Sequence, residues 1–132
     1  MLRGLRKEPA AIGKWHLGWD WTYNEGKAKT VDNIDFTKRV ANGPTDRGFD
    51  YFYGLTSPSG PPHLYMVNDM AEKQPNTRFE ESGGGLYKIK GGIGHSDWSA
   101  DGMQPHLADK MLEYLDENKD SDKPFFLYMA LT

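Results

Sequence analysis

The stretch Leu107-Ala108-Asp109-Lys110-Met111-Leu112-Glu113-Tyr114-Leu115-Asp116-Glu117-Asn118, together with the connector and apolar run after it, decides the fold class. Leu107, Met111, Leu112 and Leu115 fall at i, i+4, i+5 and i+8, one apolar stripe, so the spacing predicts a helix over 103–118. Pro105 suits its first turn, and Asp109, Glu113, Asp116 and Glu117 read as a solvated surface. A polar connector, Asn118-Lys119-Asp120-Ser121-Asp122-Lys123, leads through Pro124 into Phe125-Phe126-Leu127-Tyr128-Met129-Ala130-Leu131. That run is almost wholly apolar, as expected of a strand buried on both faces of a parallel sheet. Helix, short connector and buried strand define an α/β class, with a sheet larger than this chain supplies.

Working back to the start, Ala10 to Ile12 is a short apolar run that reads as a first strand, ending at Gly13. Lys14 and His16 follow two residues apart, and in extended chain that spacing points both side chains the same way. A cation beside an imidazole at a strand end suits an oxyanion site: the lysine holds negative charge and the histidine exchanges a proton. Trp15 and Leu17, on the opposite side, are expected in the core. Before this strand, Leu2 and Leu5 at helical spacing with Arg3, Arg6 and Lys7 suggest the tail of a helix over 1–8, stopped by Pro9.

Composition narrows the function classes. The 132 residues carry a net charge of −3, so no basic surface argues for nucleic acid as a partner. No apolar run reaches bilayer-crossing length, so no membrane partner is expected, and the basic start lacks the apolar segment of a signal peptide. Without cysteine there are neither disulfides nor thiolate metal sites. Fifteen glycines and eight prolines predict a loop-heavy chain.

The middle of the sequence is weakly patterned. From Trp19 to Thr45 no period is sustained, and Asp20, Asp32 and Asp35 read as solvated loop carboxylates, not a calcium loop. Phe49, Tyr51 and Tyr53 alternate, predicting a strand whose rings pack the sheet edge. Leu64 to Val67 reads as a short strand with Asn68-Asp69 as a turn. Residues 71–102 are expected to form a flexible loop at a pocket rim. The glycine runs at 83–85 and 91–94 lack the ending of a phosphate loop. His95, Asp97 and Asp101 fit no metal template, so no metal ligand is assigned.

Three segments together resemble one family. Gly13-Lys14-Trp15-His16-Leu17-Gly18, Gly48-Phe49-Asp50-Tyr51-Phe52-Tyr53-Gly54 and Lys123-Pro124-Phe125-Phe126-Leu127-Tyr128-Met129-Ala130 are similar, in order, to stretches of the sulfatases, the formylglycine-dependent sulfate ester hydrolases. The resemblance implies an alkaline-phosphatase-like sandwich, a mixed sheet flanked by helices, of which residues 1–132 form a loop-rich, incomplete part of the catalytic domain. It implies that Lys14 binds the sulfate and that His16 hydrogen-bonds the formylglycine hydroxyl and helps release sulfate. Substrate contacts are expected in the loop Leu55 to His63, with Ser57, Ser59 and His63 as candidates, although turn chemistry alone explains that loop equally well.

The same resemblance implies components outside this chain. The family's nucleophile arises from a Cys/Ser-x-Pro-x-Arg motif upstream of the segment at Gly13, and this sequence contains none. The Ca2+ ligands cannot be placed on it either, and a second family histidine usually comes after the Phe-Phe-Leu-Tyr strand, beyond Thr132. The chain is therefore expected to be an internal slice, inactive alone, of an enzyme hydrolysing aryl or carbohydrate sulfate esters. Many sulfatases are exported, but any such signal would precede Met1, so localisation stays open. Two other readings compete: a phosphonate or phosphate ester hydrolase of the same superfamily, and a non-catalytic carbohydrate-binding module presenting Trp15, Trp19, Trp21 and Trp98.

Overall fold

The computed structural model describes residues 8–85 and 88–132. Its centre is β1 (Glu8–Lys14), whose small residues Ala10 and Ala11 allow bulky strands to pack on either side. β2 (Tyr51–Leu55) and the last strand, β7 (Phe125–Ala130), both run parallel to it. β3 (Met66–Val67) pairs antiparallel with β2, and β4 (Met70–Ala71) with β3, giving a five-stranded mixed sheet in the order β4-β3-β2-β1-β7. A second, two-stranded antiparallel sheet joins β5 (Thr77–Phe79) to β6 (Gly92–Gly94). The helix α1 spans Met103–Asn118, the bounds expected from the sequence.

The two faces of the main sheet bury different material. Ile12, Tyr53 and Leu55 pack with Tyr65, Trp98 and the α1 residues Met103, Leu107 and Met111. Ala11, Phe52 and Met66 face the other way, against Trp15, Trp19, Ile34, Phe36 and Val40. That second layer is loop, with short 3-10 turns at Val31–Asn33 and Pro44–Arg47, where a full sandwich would place helices. Edge-to-face rings hold it: Trp15 on Phe52 at 6.4 Å, Trp19 on Phe52 at 5.9 Å and Trp21 on Phe36 at 5.5 Å. Such pairs add about 0.5–1.5 kcal/mol each beyond their buried area.

Several expectations are corrected. The inward stripe of α1 is Met103, Leu107 and Met111, whereas Leu112 is 63% exposed and Leu115 lies at the surface. The helix covers β1 with one narrow face only, so the apolar residues at i+5 and i+8 turn outward. β7 is not buried on both faces: it ends the sheet order and has little stacked above and below it among the described residues, so Phe126, Tyr128 and Met129 are about half exposed. Of the aromatic segment at 49–53, residues 51–53 belong to an interior strand, β2, not a sheet edge, and Phe49 precedes it. The region 71–102 contains β5 and β6 within its loops. Of the helix tail expected over 1–8, Glu8 opens β1 and residues 1–7 lie outside the described residues.

Candidate functional site

The parallel strands β1, β2 and β7 end together, and the loops leaving them form one rim. Their approach there is tight. A Cβ on Gly13 would stand 2.0 Å from the Ala130 carbonyl oxygen, and one on Gly54 would stand 1.8 Å from the Gly13 oxygen. Gly13 also has φ +124°, which L side chains rarely adopt. Glycine at these two positions therefore fixes the spacing of all three strand ends.

Lys14, the last residue of β1, pairs with Leu55. Partners in this register share a face, as Ala11 with Phe52 and Ile12 with Tyr53 illustrate, so Lys14 lies on the α1 side with Leu55. The backbone stays on β2 for two more residues, with Trp15 N–H donating to Leu55 O at 2.9 Å and His16 N–H to Thr56 O at 2.8 Å. It then turns: His16 has φ +53° and Gly18 φ +78°, and Trp15 Nε1 closes the turn on the Gly18 carbonyl at 2.9 Å. Lys14 and His16 are thus not a period-two pair on extended chain. Trp15 is buried as expected, but Leu17 is 79% exposed because the alternation stops at the turn. Neither the Lys14 nor the His16 side chain has a hydrogen-bond or ion-pair partner among the described residues. A histidine with positive φ is uncommon and costs on the order of 1–3 kcal/mol, and such residues gather at functional sites.

The loop after β2 holds the other candidates. Ser57 Oγ accepts from Ser59 N–H at 3.4 Å, and the Ser59 carbonyl accepts from Lys90 N–H at 2.8 Å. Ser59 borders a cavity of about 420 Å³ between this loop, the start of α1 and Thr132. His63 is 1% exposed, its ring tilted against Trp98 with centroids 4.4 Å apart, and its Nε2 lies against the Lys90 carbonyl at 2.7 Å. It has no open edge for a substrate, and burial holds its imidazole below the ordinary histidine range. In this arrangement it packs β6 against the core.

The remaining sequence candidates scatter. Asp32 pairs with Arg78 at 2.8 Å, Asp35 caps Thr37 at 3.0 Å, and Asp20 accepts from Asn42. Asp97 bonds Lys73, which holds its carboxyl low. Among the described residues no three His, Cys, Asp or Glu side chains gather as a metal site. Trp15, Trp19 and Trp98 are buried, at 9%, 8% and 3% exposure, so they cannot present the sugar platform of a binding module.

One cluster has no signal in the sequence. The Tyr53 hydroxyl donates to Glu72 Oε2 at 2.8 Å and meets His106 Nε2 at 2.7 Å, while the Tyr65 ring lies tilted against His106 with centroids 4.3 Å apart. Burial, then Glu72, raise the Tyr53 hydroxyl far above the usual tyrosine range, and Tyr65 is pushed up to about 12, chiefly by burial. These residues come from β2, the segment before β3, the residue after β4 and α1, and no sequence spacing connects them.

The arrangement is therefore a mixed α/β fold, with a mixed sheet and one covering helix, whose candidate residues sit where its parallel strands end. It resembles part of a sulfatase. A sulfatase of Bacteroides thetaiotaomicron, solved in work on how a versatile core genetic locus orchestrates that bacterium's metabolism of multiple glycosaminoglycans, superposes with a TM-score of 0.61 at 18% sequence identity. The match covers 93% of this chain and 30% of that one, so the chain spans under a third of its neighbour's length. The sequence matches no protein-family model and no curated protein.

Proposed function

We propose that the chain is part of the catalytic domain of a sulfuric ester hydrolase and contributes one wall of its site. The observation that carries this is Lys14, an unpartnered cation among the described residues at the C-terminal end of a central parallel strand, with His16 held beside it at positive φ. Ligands of open α/β sheets bind at this end of the strands. The likeness to a sulfatase fold supports the reading. Lys14 holds the sulfate group and screens charge that builds on its oxygens during ester cleavage. His16 donates or accepts a proton at the rim, where it is exposed. Ser57 or Ser59 supplies a further hydroxyl to the substrate.

The described residues do not fit the Ca2+ and formylglycine that the family implies. They provide neither an acidic cluster nor a cysteine, and no Cys/Ser-x-Pro-x-Arg motif occurs. In this proposal those components come from outside the chain, and no step is routed through them.

The test is made in the full-length protein that contains these residues. Lys14→Ala and His16→Ala each lower kcat/KM for 4-nitrophenyl sulfate by about 100-fold or more at unchanged thermal stability. Wild-type turnover by both variants overturns the roles, and faster turnover of phosphate monoesters or phosphonate esters moves the chemistry to the competing class. The 132-residue chain alone is expected to release no sulfate.

A further inference from the structure

Residues 57–63, the loop that carries Ser57 and Ser59, are held from two sides. Just before them, Thr56 O accepts from the His16 N–H at 2.8 Å, which ties the loop to the turn after β1. From Ser59 onward the loop is held by residues 90–95. The Lys90 N–H donates to Ser59 O at 2.8 Å, the His63 N–H to Ile93 O at 2.9 Å and the His95 N–H to His63 O at 2.9 Å. Ser57 follows Ser59, because its Oγ accepts from the Ser59 N–H at 3.4 Å. β6 lies flush on the loop through its glycines: a Cβ on Gly92 would stand 2.4 Å from Pro61 Cβ, and one on Gly94 2.2 Å from His63 O. Yet β6 belongs to a two-stranded sheet, which has little stability of its own.

One side chain completes this contact. His63 Nε2 lies 2.7 Å from the Lys90 carbonyl, which only accepts, so Nε2 carries the proton. Lys90 is thereby gripped at both backbone groups, its N–H by Ser59 and its carbonyl by His63. Nδ1 is left a bare acceptor, without a hydrogen-bond partner among the described residues. A second proton has to enter there, on a ring 1% exposed between Trp98 at 4.4 Å and Phe79 at 5.3 Å. The charged groups on the elements packed against it face elsewhere. Arg78 bonds Asp32 at 2.8 Å, Lys88 bonds Glu81 at 2.9 Å, Asp97 bonds Lys73, and His95 faces Asp97 at 3.6 Å. The Lys90 and Glu80 side chains are exposed, and Tyr65 stays neutral. The new N–H would thus lack an acceptor and the charge a counter-ion, so burial disfavours the imidazolium. Parting of residues 90–95 from the loop returns Nδ1 to water, so proton uptake and opening are linked.

We propose that His63 is a positioning residue and an acid-released latch: through Lys90 it fixes Ser57 and Ser59 relative to His16, and on taking a proton it lets residues 57–63 part from 90–95. The latch rests on its own contacts, and only its effect on turnover rests on the sulfate-ester reading. The test is made in the full-length protein by amide hydrogen exchange against pH. Protection at His63, Lys90 and His95 falls about tenfold per pH unit below pH 6.5, one proton per opening, while the amides of β1 and β2 keep theirs. His63→Gln keeps a donor and loses the titration, so it retains the neutral-pH protection without the slope. His63→Phe lowers protection about tenfold or more at every pH, and His95→Gln leaves the slope unchanged. With 4-nitrophenyl sulfate, His63→Phe raises KM about tenfold at little-changed kcat, and His63→Gln restores it. A flat wild-type profile, a slope that survives in His63→Gln or one that vanishes in His95→Gln overturns the latch. A KM untouched by His63→Phe overturns the positioning role. Absence of sulfate release at every pH overturns the hydrolase reading and leaves the exchange result standing.

Discussion

β2 and β7 flank the same strand, run the same way and are both rich in aromatic residues, yet they meet opposite fates. In β2, Phe52, Tyr53 and Leu55 are at most 2% exposed; in β7, Phe126, Tyr128 and Met129 are about half exposed. The difference lies in what is stacked above and below. β2 is sandwiched between α1 and the tryptophan loop, and has β3 on its far side. β7 has β1 on one side only, with Phe49 stacked on Tyr128 at 6.3 Å and Tyr114 against Phe125 at 5.8 Å as partial cover. An apolar run signals that a strand wants burial; it does not say that the burial is supplied. An open apolar edge of this kind is also an association hazard.

The comparison can be broken at several points. The largest effect is expected where β2 and β1 touch: Gly54→Ala pushes a methyl into the Gly13 carbonyl and costs more than about 4 kcal/mol, measured by urea unfolding. A mild effect would mean that the two strands stand further apart at this point. Next, Phe52→Ala removes the ring on which Trp15 and Trp19 pack and costs about 3–5 kcal/mol.

Smaller effects come from titration on the α1 face. The raised hydroxyls of Tyr53 and Tyr65 keep their protons in the folded state after the unfolded chain has lost them. Their share of stability is complete below pH 10 and falls as pH rises toward about 12, and tyrosinate absorbance should lag accordingly. His63 acts at the other end. Its imidazole is held below 6.5 by burial, so the unfolded chain binds the proton first and stability drops as pH falls below that value. His63→Phe should flatten this acid limb in thermal melts. The smallest effect belongs to β7, where Phe126→Ala should change stability by under about 1 kcal/mol. A loss equal to that of Phe52→Ala would show that the outer edge is covered.

Much was legible without coordinates. Periodicity gave α1 its bounds, the apolar runs marked β1 and β7, and the Gly13–Gly18 segment marked the rim where the parallel strands end. These are local properties, carried by residues within a turn or a strand of one another. The tertiary structure alone decided which apolar residues are buried. It turned Leu112, Leu115 and Leu17 outward, closed His63 behind Trp98, and built the Tyr53–Glu72–His106 cluster from separate segments. It also decided the backbone at His16, where extended geometry gives way to a left-handed turn. The cavity between the loop after β2 and the start of α1 belongs to the same class, since its walls come from segments far apart in sequence. Burial and enclosure depend on partners brought together by folding, and no spacing along the chain encodes which partners arrive.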